Sequence, residues 1–122
     1  MSIESYQDLT VWQKSMDLAE LCYHLTRDFP KAELFGMTSQ IRRAATSIPA
    51  NIAEGWGRGT TGEYLQFLRI AQGSTKELET HLLLCQRIKL LTPEEAAQAI
   101  ALVAEISRMT ISLIGSLKRR QQ

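Results

Sequence analysis

A glycine-rich segment is the first part of the sequence with the residue types and spacing of a ligand site. Gly57, Gly59 and Gly62 have the spacing of the GxGxxG fingerprint, in which a glycine turn brings backbone amides to a phosphate at the start of a helix. That fingerprint follows a strand, whereas a helical pattern precedes Gly57, and Glu63 stands where a phosphate-binding loop has lysine. The spacing therefore favours a turn between two helices, with nucleotide binding as the alternative.

Neither the histidines nor the serines predict a catalytic or metal centre. His24 and His81 fall in different helical patterns, and neither belongs to an HExxH or a Glu-x-x-His motif. Ser74 follows Gly73 but lacks the GxSxG motif of a serine hydrolase. We therefore expect no catalytic residue, no metal and no cofactor.

Polar side chains recur every three or four residues along the second helical pattern, beside its apolar stripe. They are Gln40, Arg43, Ser47, Asn51 and Glu54. Because that spacing places them on one side of a helix, they form a polar ridge. The ridge either bonds to Ser74, Glu77 and the neighbouring helices, which is the common case for a helix face, or contacts a partner. Glu54, Glu77 and Glu79 predict no acid and base pair, and pairing with Arg42 or Arg43 is the favoured interpretation.

The remaining candidates for function are basic. We expect contacts with nucleic acid from Arg42, Arg43, Arg58, Arg69, Arg87, Lys118, Arg119 and Arg120. Single helices scatter these residues, but a ring of copies would repeat each of them by symmetry and form a continuous basic surface able to meet phosphates. For residues 118–120, a solvated helix end that the helix dipole favours is an equal alternative.

Length and composition bound the class of protein. The 122 residues are the size of one domain, which can build a core without a disulfide or a metal. Fourteen basic and thirteen acidic residues leave a formal charge of +1, which gives no sign of a strongly basic nucleic-acid module. Cys22 and Cys85 fall far apart in apolar patterns and are interpreted as small buried hydrophobes. No secretory signal or long apolar run is found, so we expect a cytoplasmic protein with no membrane partner.

Apolar residues recur at intervals of three and four almost throughout, which predicts an all-α fold. The expected helices span about 10–28, 35–56, 61–91 and 93–118, within one domain over residues 1–122. Their start signals are Thr10 with Gln13, Thr60 with Glu63, and Thr92 with Pro93 and Glu95. Pro49 lies inside the second helix and predicts a kink rather than a break. The apolar stripes of the first two helices include Met16, Tyr23 and Phe35.

Short connections between long helices predict an antiparallel up-down-up-down four-helix bundle. The fourth helix carries two adjacent apolar rows, which are wider than one bundle core requires. The second row consists of Leu102, Ile106, Met109 and Leu113. Because a soluble monomer seldom exposes a large apolar patch, this row is expected to be an interface between copies of the chain. Scattered surface leucines are the alternative.

Three separated segments carry a family resemblance. Residues 40–55, QIRRAATSIPANIAEG, closely resemble the central motif of the four-helix bundle proteins known as 23S rRNA intervening-sequence proteins. Residues 9–13 resemble the family's opening, and residues 67–74 with 77–80 resemble its third-helix motif. The resemblance covers about residues 6–118 and is specific, because the three motifs occur in the right order.

The resemblance implies a bacterial protein without established catalytic residues, and therefore not an enzyme. A relative of similar fold, the accessory variability protein of diversity-generating retroelements, forms a homopentamer that associates with a reverse transcriptase and nucleic acid through basic surface. By this resemblance we expect a homopentamer that binds RNA, DNA or a nucleic-acid enzyme such as a reverse transcriptase. A structural or protein-interaction scaffold with no nucleic-acid contact is the alternative.

Overall fold

Four long helices follow one another in the computed structural model, which describes residues 3–121. They are α1 (Thr10–Thr26), α2 (Met37–Gly57), α3 (Thr61–Arg87) and α4 (Pro93–Gln121). Single 3-10 turns lie at Tyr6–Asp8 and Lys31–Glu33, and residues 3–121 contain no strand. The predicted all-α fold with four helices is confirmed.

The starts of α3 and α4 are fixed by the predicted threonine caps. The hydroxyl of Thr92 accepts the amide of Glu95 (3.1 Å), and the carboxylate of Glu95 accepts the amide of Thr92 (2.9 Å), which completes a capping box. At α3 the hydroxyl of Thr60 accepts the amide of Glu63 (3.2 Å). That hydroxyl donates to the carboxylate of Glu63 (3.0 Å), so the return bond to the backbone of Thr60 is not made.

The predicted capping box at the start of α1 is wrong. Thr10 is the first helical residue, and the side chain of Gln13 donates instead to the carbonyl of Gln7 (2.8 Å). A capping box forms earlier in the chain, at the first 3-10 turn, where the hydroxyl of Ser5 accepts the amide of Gln7 and the carboxylate of Asp8 accepts the amide of Ser5. The serine and the aspartate therefore satisfy this turn's amides before α1 begins.

The connections between helices are longer than predicted at two places. The segment before α2 forms a separate 3-10 turn, so α2 begins at Met37 rather than at 35. At the end of α3, Lys89 has a φ of 66°, and the amide of Leu90 returns to the carbonyl of Cys85 (2.8 Å). This left-handed residue ends the helix at Arg87 rather than at 91.

Helix α2 continues through Pro49 without a break, as predicted. A proline cannot donate an amide to the helix, and nearby side chains contribute other hydrogen bonds. The hydroxyl of Thr46 donates to the carbonyl of Arg42 (2.8 Å), and the side-chain amide of Asn51 donates to the carbonyl of Ser47 (2.8 Å). The kink itself stays a prediction.

The helices close around one apolar core. Helix α1 contacts α2 and α4, and α3 contacts the same two helices. Fully buried side chains at the centre of this core include Leu18, Ile41, Ile48, Ile52, Leu68, Leu78, Leu82, Val103 and Ile106. Burial of such side chains contributes about 1.5–3 kcal/mol each, so this shared interior holds the helices together.

Helices α2 and α3 approach each other closely at Gly55. A Cβ atom added to Gly55 would lie 2.9 Å from the Cβ of Phe67 and 3.1 Å from the ring of Tyr64. Two more pairs lie along the same seam between α2 and α3, namely Arg43 with Glu77 and Ser47 with Ser74. The residue number of the partner on α3 therefore decreases as the residue number on α2 increases. Three buried residues of these two helices are alanines with small side chains, namely Ala44, Ala45 and Ala71.

Helix α4 is the longest and the least covered. Its 29 residues extend about 44 Å, against about 26 Å for the 17 residues of α1. By length and composition α4 could cross a membrane, which differs from the expectation that no segment could. Only 28% of its most apolar window is buried within the chain, although Ala96, Ala99 and Val103 on one side pack into the core.

Replacing Gly55 by alanine tests the α2/α3 contact. The added methyl group would meet the Cβ of Phe67, so we expect Gly55→Ala to lower the free energy of unfolding by about 1–3 kcal/mol. Gly73→Ala is the matched control, because nothing lies within 4 Å of a Cβ there and alanine favours a helix over glycine by about 0.5–1 kcal/mol. In urea unfolding, Gly55→Ala should lower the free energy of unfolding and Gly73→Ala should raise it. Equal changes in the two variants would contradict the close approach of α2 and α3 at Gly55.

Candidate nucleic-acid interface

The eight predicted basic contacts do not share one surface. Arg42 lies near the start of α2 and Arg58 at its end, about 24 Å apart along the helix axis. Arg69 and Arg87 are separated by about 27 Å along α3. Residues 118–120 end α4, and Arg120 lines a cleft with Thr60 and Tyr64 beside the α2–α3 connection. The basic side chains of a single chain are therefore spread along the helices and are not gathered in one patch.

Arg58 is engaged by its own chain. Its guanidinium lies 2.8 Å from the carboxylate of Glu54 and 3.9 Å from that of Glu63, above the ring of Phe67. These contacts tie the end of α2 to the start of α3 across the glycine-rich turn. Gly59 in that turn has a φ of 90°, which glycine adopts without strain. The segment is thus a turn between two helices, as the spacing favoured.

Two residues of the polar ridge, Arg43 and Ser47, bond to α3. The guanidinium of Arg43 donates to the carboxylate of Glu77 (2.7 Å) and to the side-chain oxygen of Gln40 (2.8 Å). His81 lies 3.3 Å from the same carboxylate of Glu77. Farther along the seam, the hydroxyls of Ser47 and Ser74 share a hydrogen bond of 2.9 Å. The ridge bonds within the chain, which agrees with the first of its two interpretations.

Arg42 is held against α1. Its Nε donates to the hydroxyl of Thr26 (2.9 Å), and its guanidinium carbon lies 4.4 Å from the centre of the Tyr23 ring. Thr26 in turn donates to the carbonyl of Cys22 (2.8 Å). A cation over an aromatic face is attracted by the ring electrons, so Arg42 has a fixed position while its two terminal nitrogens make no hydrogen bond within residues 3–121.

The other basic candidates are unpaired within the described part of the chain. Arg69, Arg87, Lys118, Arg119 and Arg120 are exposed. None of these five makes an ion pair or a side-chain hydrogen bond with residues 3–121. Because they have no carboxylate to give up, they can contact a phosphate without first breaking an ion pair.

The two cysteines are buried in the core, whereas His24 is exposed. Burial raises the pKa of Cys22 to about 12, and burial with the charge of Glu33 raises the pKa of Cys85 to about 11, so both thiols are protonated at neutral pH. His24 bonds to Arg27 (3.1 Å). Residues 3–121 contain no group of three or more side chains placed to hold a metal ion.

The predicted interface row on α4 needs one correction. Ile106 is fully buried in the core of the chain itself, because its position on the helix faces inward, and it has no surface to give to another copy. Leu102, Met109 and Leu113 are half-buried, and Ile111 is 57% exposed. Met109 and Leu113 line an apolar cleft of about 470 Å³ with Leu9 and Val11.

Two aromatic residues of the expected apolar stripes face solvent. Phe35 lies before α2 rather than in it and is 91% exposed, and Tyr23 is also exposed. The signal in the sequence is Gly36, a helix-breaking residue directly after Phe35, which separates this phenylalanine from the periodic pattern that begins at Met37.

A double-mutant cycle tests the pairing of Arg43 with Glu77. Both side chains are partly exposed, so we expect a coupling of about 0.2–1 kcal/mol in the free energy of unfolding, measured by urea titration of both alanine variants and the double variant. The same cycle with Glu79 in place of Glu77 should give no coupling. Zero coupling with Glu77 would show that this pair does not stabilise the bundle.

Comparisons with known proteins agree with these features. The family model described as 23S rRNA-intervening sequence protein matches residues 7–112. A crystal structure of a protein of unknown function from the S23 ribosomal protein family of Bacteroides thetaiotaomicron is 30% identical, with a TM-score of 0.78, and the match covers 86% of this chain and 98% of that one. No curated protein matches. The chain belongs to the 23S rRNA-intervening sequence protein family.

Proposed function

We propose that this chain is a non-enzymatic protein that assembles with copies of itself and binds nucleic acid, or an enzyme acting on nucleic acid, through exposed basic side chains. The observation that carries the proposal is that Arg69, Arg87 and residues 118–120 are exposed without a carboxylate partner within residues 3–121. Arg43 and Arg58, which are paired in the chain, are left out of the contact set.

Phosphate contact depends on local rather than net charge. The formal charge of +1 gives little long-range attraction, so binding requires several unpaired cations on one surface. Their separation along α3 and α4 gives one chain few contacts at a time. Symmetric copies would place equivalent arginines side by side and multiply the phosphates met at once. Self-association is therefore part of the binding function.

The apolar outer face of α4 supplies a surface for that association. Leu102, Met109 and Leu113 lie on one side of α4 and are half-buried, so they leave apolar area in contact with water in the single chain. Covering such a face stabilises an assembly by about 25 cal/mol for each Å² removed from water. Residue numbers on α3 decrease as those of their contact partners on α2 increase, which supports an antiparallel bundle as the subunit. The homopentamer expected from the related accessory variability protein is the assembly we propose.

A reverse transcriptase is the proposed enzyme partner, by the same relationship, and the bacterial cytoplasm the proposed location. The second candidate function is a scaffold that contacts only protein. It is favoured by one observation, namely that Arg43 and Arg58 direct their charge to Glu77, Glu54 and Glu63 within the chain.

A salt titration tests nucleic-acid contact. We expect the logarithm of the affinity for a short RNA or DNA duplex to fall linearly with the logarithm of salt concentration. Replacing Arg69 and Arg87 by glutamine removes two cations that meet phosphates in each bound subunit, so the slope should become shallower by about 1 for each arginine replaced. Fluorescence anisotropy at several salt concentrations, with protein of known native mass, measures both quantities.

The control for that titration is Arg58→Gln, which removes an arginine already paired within the chain. This variant should keep the wild-type slope, because Arg58 gives no charge to the ligand. A wild-type protein that binds neither duplexes nor single strands at low salt would eliminate the nucleic-acid contact and leave the scaffold.

Substitution on α4 tests the assembly. Met109→Asp places a charge in the half-buried row of Leu102, Met109 and Leu113, and we expect the native mass measured by light scattering to fall toward that of one chain. Ile70→Asp is the matched control, because Ile70 is 44% exposed on α3 and should leave the mass unchanged. Circular dichroism checks that both variants remain helical. A mass that responds to neither or to both substitutions would locate the interface elsewhere.

A further inference from the structure

The connection between α1 and α2 exposes a phenylalanine that core packing does not explain. Phe35 is 91% exposed, and Tyr23 on the outer face of α1 is exposed beside it. The two rings line a cleft of about 440 Å³ together with Thr38, Ser39 and Arg42. Two aromatic side chains and an arginine in one open cleft are the components of a stacking site for nucleobases.

Arg42 gives this cleft a fixed positive charge. Its guanidinium lies over the Tyr23 ring and its Nε is bonded to Thr26, so the side chain is held in place before any ligand arrives. The two terminal nitrogens, which make no hydrogen bond within residues 3–121, can donate to a phosphate oxygen. The arginine is thus positioned by two contacts and still has donors to offer.

The first turn of α2 adds neutral donors to the same cleft. Thr38 is only 5% exposed, lines the cleft, and its hydroxyl makes no hydrogen bond with the described residues. Helix α2 has no side-chain cap at Gly36, and the amides of Thr38 and Ser39 are likewise unbonded within residues 3–121. Glu33 accepts the amide of Met37 (3.3 Å), and Glu77 is already paired with Arg43, so neither carboxylate is among the residues that line the cleft.

We propose that Phe35, Tyr23 and Arg42 form a binding site for single-stranded nucleic acid, in which an unpaired base stacks on Phe35 and Arg42 with Thr38 holds the adjacent phosphate. The inference rests on the proposed function and specifies its ligand. Bases in a duplex are stacked on one another and offer no free face, so the site selects unpaired strands. A purely apolar partner would bury the charge of Arg42 and the hydroxyl of Thr38 without new hydrogen bonds, at a cost that a phosphate avoids.

The experiment compares two strands with the same phosphates. Full-length protein is titrated with labelled oligothymidylate and with an abasic strand of equal length, at low salt. The wild-type protein should bind oligothymidylate more tightly. Phe35→Ala should weaken oligothymidylate binding by about 5- to 150-fold, the range for losing one stacked base, and should leave binding to the abasic strand unchanged. Phe35→Trp should keep the preference, because tryptophan also stacks.

Leu83→Ala is the control, since Leu83 is an exposed apolar residue of α3 outside this cleft, and should change neither affinity. Equal wild-type affinity for the two strands, or a preference that survives Phe35→Ala, would overturn the stacking site and leave the proposed function standing. A wild-type protein that binds neither strand would overturn the stacking site, and failure to bind duplexes as well would overturn the proposed nucleic-acid contact. A Phe35→Ala variant of lower native mass would identify Phe35 as a contact between copies and also overturn the site.

Discussion

The close approach of α2 and α3 at Gly55 is the constraint on which the rest of the structure depends. With 2.9 Å between a Cβ at this position and that of Phe67, there is room only for a residue without a side chain. The approach sets the register of the two helices, and the register brings Ser47 to Ser74 and Arg43 to Glu77. It also brings the end of α2 to the start of α3, so that Arg58, which pairs with Glu54 of its own helix, can reach Glu63 across the turn.

That register separates the basic residues into two classes. Arg43 and Arg58 pair with carboxylates of α2 and α3, whereas Arg69, Arg87 and residues 118–120 are exposed and have no carboxylate partner within residues 3–121. The contacts of each basic residue follow from the side of the helix on which it lies and not from its neighbours in the sequence. Arg42 and Arg43 are adjacent in the sequence, yet Arg42 contacts α1 and Arg43 contacts α3.

Periodicity and caps predict the four helices well, because both act over a few residues. Thr60 and Thr92 satisfy amides within their own first turn, and their signals are local. The failures are of another kind. The sequence predicts a cap at Thr10, yet Ser5 and Asp8 cap a turn farther upstream, and Ile106 falls by its spacing in an outer row that differs from the core row by a small rotation about the helix axis. Phe35 carries the same apolar signal as a core residue, and only the backbone path before Met37 shows that it faces water.

The unequal lengths of α1 and α4 affect how the end of the chain behaves. The start of α1 lines the same cleft as Met109 and Ser116 and therefore lies beside them. The last turn of α4 continues beyond the start of α1. Arg120 still lines another cleft with Thr60 and Tyr64, but the end of a helix opens locally at little free-energy cost compared with global unfolding. A ligand bound by residues 118–120 must therefore hold this last turn in place, whereas Arg69 lies inside α3, where a ligand has no helix end to order.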